Sequence, residues 1–261
     1  MNYILGIDIG TSGTKSVLFD ASGTVVASNA QEYALHQPFN GWAEQDPADW
    51  WRAVCSTCTA VIQQSGVDPA EIAGVGLSGQ MHGLVMLDEN QRVIRESILW
   101  CDQRTGAECS QITRQVGAQR LLEITANPAL TGFTASKVLW VRNHEPENFE
   151  RCRKILLPKD YIRFMLTGEF ATDVSDASGM QLLDVGKRCW SEEVLEKLGV
   201  DPAWLARVVE SVEITGRVTP AAAALTGLAA GTPGVGGAGD NAAAAVGMGV
   251  VGDGTAFNTT G

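Results

Sequence analysis

A chain of 261 residues fits one large domain or two small ones, at roughly 150 residues per domain. With 45% hydrophobic and 19% charged residues it can bury a sizeable core, which excludes a disordered acidic tail. Thirty acidic residues against 19 basic ones leave a net charge of −11, which excludes a nucleic-acid partner and a polybasic membrane patch.

The first thirty residues predict three strands: Tyr3–Ile9, Thr14–Phe19 and Thr24–Gln31. Their joins, Gly10-Thr11-Ser12-Gly13 and Asp20-Ala21-Ser22-Gly23, carry strong turn chemistry. Such short joins imply an antiparallel meander at one sheet edge, whereas a Rossmann fold sends its first strand straight into a helix. Asp46-Pro47 opens a helix, with Trp50, Val54, Cys58 and Val61 at helical spacing and Gly66 as its stop. Ile72–Leu77 and Leu84–Leu87 read as buried strands. The middle is mainly helical: Asp102–Val116, Ala118–Thr125, Ala135–His144, Lys159–Leu166 and Ser191–Leu198, with extended pieces at Ile155–Leu157 and Glu169–Thr172. A Gly-rich stretch then gives an extended Val235–Ala238, a small-residue helix Asn241–Met248 and a strand Gly254–Asn258. Strands that precede, alternate with and follow helices make the class α/β with a mixed sheet flanked by helices. The break just after that last strand leads us to expect part of a longer protein.

The start of the chain lacks the basic and apolar regions of a secretory signal, and no run approaches the ~20 apolar residues of a transmembrane helix. The six cysteines are too sparse for a disulfide scaffold, and Cys55 and Cys58 lie in a helical pattern without a second pair at zinc spacing. The expectation is reduced thiols in the cytoplasm.

Asp8, followed by Gly10, Thr11, Ser12 and Gly13 and then Lys15, suits a nucleotide-phosphate site. Glycines admit phosphate close to backbone N–H groups, the hydroxyls donate, and Asp8 holds Mg²⁺ through water. The alternative is an ordinary hairpin turn. Lys15-Ser16 follows Thr14, so this is no Walker A loop. G-x-G-x-x-G patterns at Gly74, Gly76, Gly79, at Gly234, Gly236, Gly239 and at Gly247, Gly249, Gly252 lack the context of a dinucleotide site. Gln80-Met81-His82-Gly83 follows a buried strand, where ligands bind in α/β sheets; its side chains suit sugar hydroxyls, or His82 is structural. Trp100 and Asp102 offer an indole for a sugar face and a carboxylate for its hydroxyls, or a core Trp and a helix cap. Asp160, Asp173 and Asp176 read as caps. Asp240, between small residues and before Asn241, is either a general base for a hydroxyl or a cap.

Together these segments resemble the FGGY carbohydrate kinases. The resemblance rests on Gly6–Gly13, Gly79–Gly83, Ile98–Arg104, Leu157–Tyr161, Thr167–Glu169, Ser175–Gly179 and Gly239–Ala242, in order along nearly the whole chain. It implies a ribonuclease H-like, actin-like ATPase fold. Residues 1–246 would form the N-terminal domain and 247–261 the start of a C-terminal one. It further implies a homodimer that uses ATP and Mg²⁺ to phosphorylate a ketopentose such as D-xylulose; the alternatives are another sugar or polyol (ribulose, gluconate, glycerol) or a non-catalytic sugar-binding module of the same fold. By the same resemblance Asp240 is the general base and Asp8 the carboxylate near Mg²⁺–ATP. Met81 and His82 contact the sugar, with Gln80, Asn241, Trp100 and Asp102 nearby, and Gly10–Gly13 face the phosphates. A second phosphate turn would fall on Asn258-Thr259-Thr260-Gly261, with Asn in place of the family's first glycine. The second domain carries the adenine contacts in that family, so the 261-residue chain alone is expected to bind sugar weakly and turn over little.

Overall fold

The computed structural model describes residues 3–258. The meander forms as expected: β1 (Tyr3–Ile9), β2 (Gly13–Phe19) and β3 (Val25–Glu32) pair antiparallel, Asp8 opposite Lys15 and Gly13 opposite Glu32. A short β4 (Glu44–Gln45) leads to α1 (Pro47–Ser65). The Asp46 side chain caps α1 by accepting the Ala48 N–H at 2.9 Å, and Gly66 ends it at φ 65°, a left-handed conformation natural to glycine. Trp50, Val54, Cys58 and Val61 point from α1 into the core.

The chain then runs through β5 (Ile72–Gly79), β6 (Val85–Leu87) and β7 (Ser97–Ile98) into α2 (Gly106–Val116), α3 (Ala118–Thr125), α4 (Thr134–His144) and α5 (Pro146–Arg151). Next come β8 (Lys154–Leu156), α6 (Pro158–Thr167), β9 (Ala171–Asp173), α7 (Val174–Ala177), β10 (Leu183–Asp184), β11 (Cys189–Trp190) and α8 (Glu192–Leu198). The last segment holds β12 (Arg207–Val209), β13 (Ile214–Arg217), α9 (Pro220–Thr226), β14 (Pro233–Val235), β15 (Ala238–Gly239) and α10 (Asp240–Gly247).

Among the described residues the main sheet has seven strands in the order β13-β14-β5-β1-β2-β3, with β15 also on β5. β1 and β5 run parallel, as do β15 and β5, so their carboxyl ends share one edge. Strand side chains alternate between faces. Leu5, Ile7 and Ile9 pack with α1 and α6 residues in one core. Gly6 and Asp8 lie on the opposite face. A second core gathers α2, α3, α4 and α8 around β6 and β8 through Ile112, Leu121, Val138, Leu139, Ile155 and Leu195. No helix among the described residues is long and apolar enough to cross a membrane.

Three expectations are corrected. The helix expected from Asp102 starts at Gly106, because the Asp102 carboxylate is taken by the Ala43 N–H at 2.7 Å and by Arg104. The strand expected at Gly254–Asn258 does not form; those residues have no ladder partner to satisfy their backbone groups. Asp173 does cap α7 through the Ser175 N–H, but Asp160 and Asp176 do not cap; they lie in a buried ion cluster described below. Thr259, Thr260 and Gly261 of the expected second phosphate turn lie outside the described residues.

Candidate functional site

The loops leaving β1, β5 and β15 meet at the shared carboxyl edge of the sheet. Asp8 pairs in register with Ser78, and Ser78 with Ala238. Two strand spacings of about 4.8 Å therefore separate Asp8 from Ala238, two residues before Asp240. The Ser78 hydroxyl donates to Asp8 Oδ1 at 2.6 Å, holding an exposed carboxylate at the rim. On that face Gly6, Asp8, Lys15, Gly76, Ser78 and Ala238 border a cavity of about 650 Å³ closed by Ala242, Ala243 and Val246 of α10. Of the strand glycines in the G-x-G-x-x-G patterns, Gly76 lines this bare face, whereas Gly79 packs against Lys159 and Ile9. Gly237, at φ 70°, packs so close to Leu77 that a Cβ would overlap the Leu77 carbonyl.

Asp240 opens α10, and Gly239 occupies the cap position. Asp240 Oδ1 accepts the Asn241 N–H at 2.8 Å, and among the described residues its second oxygen is uncommitted. Burial raises its pKa above the ordinary carboxylate value, and the nearby Asp8 charge adds to the rise. Asn241 itself is exposed. A Cβ on Gly239 would lie 2.7 Å from Met81 Cγ and Sδ, so the Met81 side chain rests against the peptide that carries Asp240.

The turn Gly10–Gly13 is tied down from several sides. Its Gly10 N–H bonds to the Gly13 carbonyl at 3.0 Å, so that donor is spent inside the turn. Gly13 has no room for a Cβ, which would lie 2.6 Å from Gln31 O. Thr11 Oγ1 receives the Trp100 indole N–H at 2.9 Å and donates to Gln80 Oε1 at 3.3 Å. Gln80 is 1% exposed, and its amide N–H bonds Gln45 Oε1 at 3.0 Å; both ends of the side chain brace the turn. Trp100 is 45% exposed, so its ring is a free apolar surface and not core. Ser12 and Lys15 also face solvent. Asp102 is fully buried under Arg104, whose guanidinium also pairs with Glu44 and covers the Trp42 ring at 3.6 Å.

His82 adopts the left-handed region at φ 66°. Its ring meets Phe133 edge-on at 4.6 Å and occupies the space a Cβ of Gly179 would take. Burial, with the Lys137 charge nearby, pushes the imidazole down to about 4, so it is neutral near pH 7. The structure thus gathers Asp8, Thr11, Gln80, Met81, Trp100 and Asp240 around one edge, with His82 alongside Met81, and leaves Asp102 beneath it.

Sequence reasoning missed two buried features. Lys159 bonds Asp160 at 2.7 Å, Asp173 at 2.9 Å and Asp176 at 3.1 Å, and Arg163 bonds Asp160 at 2.7 Å. Arg163 also holds the carbonyls of Ala171 and Gly236, tying α6 to the strand that delivers Asp240. Asp176 lies behind Gly239, its Oδ1 3.5 Å from where a Cβ would be, and burial pushes its carboxyl up to about 7. The second feature is Lys137, fully buried in α4. The available signal was a lone lysine beside the apolar run Val138–Val141.

The profile of the FGGY family of carbohydrate kinases, N-terminal domain, matches residues 3–247. The xylulose kinase of Escherichia coli is 44% identical over 95% of this chain and 50% of its own length. That of Bacillus subtilis is 41% identical over 97% of this chain and 51% of its own. The crystal structure of a xylulose kinase from Rhodospirillum rubrum superimposes with a TM-score of 0.93 at 30% identity, over 97% of this chain and 52% of that one. The mixed sheet flanked by helices is the actin-like ATPase arrangement of these kinases. The chain spans about half the length of the curated relatives it matches.

Proposed function

This chain belongs to the FGGY family of carbohydrate kinases, and we propose that it forms the sugar-binding half of an ATP-dependent kinase for the terminal hydroxyl of a ketopentose, D-xylulose first among candidates. One observation carries the reading: a half-buried Asp240 and an exposed Asp8 flank β5 at the edge where three parallel strands end. Loops at the carboxyl ends of such strands are where α/β folds take ligands.

In this reading the sugar lies on the Trp100 ring, beside Met81 and His82. Neutral His82 exchanges hydrogen bonds with sugar hydroxyls without adding charge. Asp240 accepts the proton of the attacking hydroxyl through its uncommitted oxygen. A raised pKa makes Asp240 a better proton acceptor than a fully solvated aspartate. Asp8, an exposed oxygen donor held by the Ser78 hydroxyl on a glycine-lined face, fits Mg²⁺ bound through water. Mg²⁺–ATP supplies the phosphoryl group and the charge neutralisation its transfer needs. Lys15 and the exposed Ser12 sit where they can meet phosphate oxygens. Residues 1–246 are then the first domain and 247–261 the opening of a second, in a cytoplasmic homodimer.

The test joins this chain to the second half its relatives carry and measures ADP release with D-xylulose, ribulose, gluconate and glycerol. Highest kcat/KM on D-xylulose supports the reading. ADP release unaffected by every sugar removes it.

A further inference from the structure

Three groups at the start of α4 converge on His82. Lys137 Nζ donates to the His82 carbonyl at 2.7 Å, Thr134 Oγ1 donates to the same oxygen at 3.2 Å, and Phe133 meets the ring. The same Nζ donates to the Gly132 carbonyl at 2.7 Å. Gly132 in turn lies against Trp100, whose carbonyl would be 2.9 Å from a Cβ at that position. Lys137 is fully buried, and no carboxylate lies within ion-pair distance of it among the described residues. A fully buried lysine without an ion partner costs stability unless hydrogen bonds offset it. Charged or neutral, its amino group has at least two N–H donors and can serve two carbonyls at once, which no apolar residue can. A non-glycine residue at positive φ persists only when its surroundings hold it there.

We propose that Lys137 is a positioning residue: it ties the His82 loop to the Gly132 turn behind Trp100 and so fixes the imidazole relative to the indole. This rests on the reading of His82 and Trp100 as sugar contacts. Burial pulls the Lys137 pKa down to about 7, partly offset by Asp102, which marks how little solvent reaches the tie.

The test compares wild type, K137M and K137R. In the 261-residue chain, NMR follows the His82 imidazole titration and calorimetry measures D-xylulose binding. In the extended enzyme, kinetics separate KM for sugar from KM for ATP. For K137M we expect His82 to titrate at least half a pH unit higher, because a nearby positive charge has gone and the loop has loosened. Sugar KM rises tenfold or more with ATP KM within twofold, and K137R, which keeps charge and donors, recovers part of the loss. Should K137M not fold, K137Q takes its place, with the same shifts expected at half the size or more. An unchanged His82 titration with unchanged sugar KM overturns the proposal, even where the melting temperature falls. If the wild type neither binds nor turns over sugar, the functional reading fails, and the His82 titration alone decides whether Lys137 holds the loop.

Discussion

Gly179→Ala puts one methyl group into the tightest part of the site. Gly179 sits in the turn Ser178–Met180, and its new Cβ would overlap the His82 ring at Cε1 and Nδ1 while lying 3.4 Å from Nε2. The Cβ would lie 2.1 Å from Cε1 and 2.3 Å from Nδ1, so restoring ordinary contact displaces the ring by more than about 1 Å. That shift is opposed by Phe133, 4.6 Å away on another side, and by the bonds of Lys137 and Thr134 to the His82 carbonyl. Overpacking of this kind costs about 1–3 kcal/mol. The displaced imidazole also regains water. Its pKa then climbs from about 4 toward 6.5, a change that corresponds to about 3 kcal/mol of preference for the neutral form. The sign follows from the lowered value. In wild type the unfolded chain takes up the His82 proton first, so stability falls as pH drops from about 6.5 to about 4. In G179A this loss on the acid side shrinks. Urea denaturation at pH 5 and pH 7.5, with NMR titration of the histidine ring protons, reads both effects. Wild-type stability together with a His82 that still titrates near 4 would refute the packing argument.

Asp176 gives the opposite sign: its carboxyl, pushed up to about 7 by burial and by Asp160 and Asp173, keeps a proton that the unfolded chain gives up near 4. Stability from this group is present at low pH and lost as pH rises to about 7, so D176N should flatten the slope of urea midpoint against pH between 5 and 8; parallel slopes in the two proteins count against it. Lys159→Met strips three buried carboxylates of their shared ammonium and should cost about 3–5 kcal/mol. A melting temperature within two degrees of wild type would contradict that, measured by circular dichroism.

Much of the frame was readable because its signals are local. The meander follows from turn chemistry at Gly10–Gly13 and Asp20–Gly23, and α1 from Asp46, Pro47 and Gly66 at its ends. What could not be read depends on partners far along the chain. Asp102 resembles a cap until Ala43 and Arg104 claim it. Asp160 and Asp176 stand 16 positions apart and look like element starts, yet both face Lys159. The hold that Thr11 and Gln45 keep on the two ends of the Gln80 amide has no sequence signal either. The α9 helix carried readable signals, Thr219-Pro220 and Gly227, that the apolar pattern of Ala-rich residues was too weak to bring forward. Of the candidate site residues, Asp8 stands near the end of β1, Met81, His82 and Trp100 follow strands, and Asp240 opens α10, positions that strand and turn patterns mark in the sequence; the tie through Lys137 was not readable, because a single buried lysine has no periodic signature.

The proposed role of the Asp240 carboxylate is to take the proton of the attacking hydroxyl. Asp240→Asn keeps the shape and removes the base. In the extended enzyme, phosphoryl transfer to D-xylulose should fall by about 10²–10⁴, while the sugar dissociation constant stays within fivefold of wild type. Transfer at a tenth or more of the wild-type rate would contradict the account.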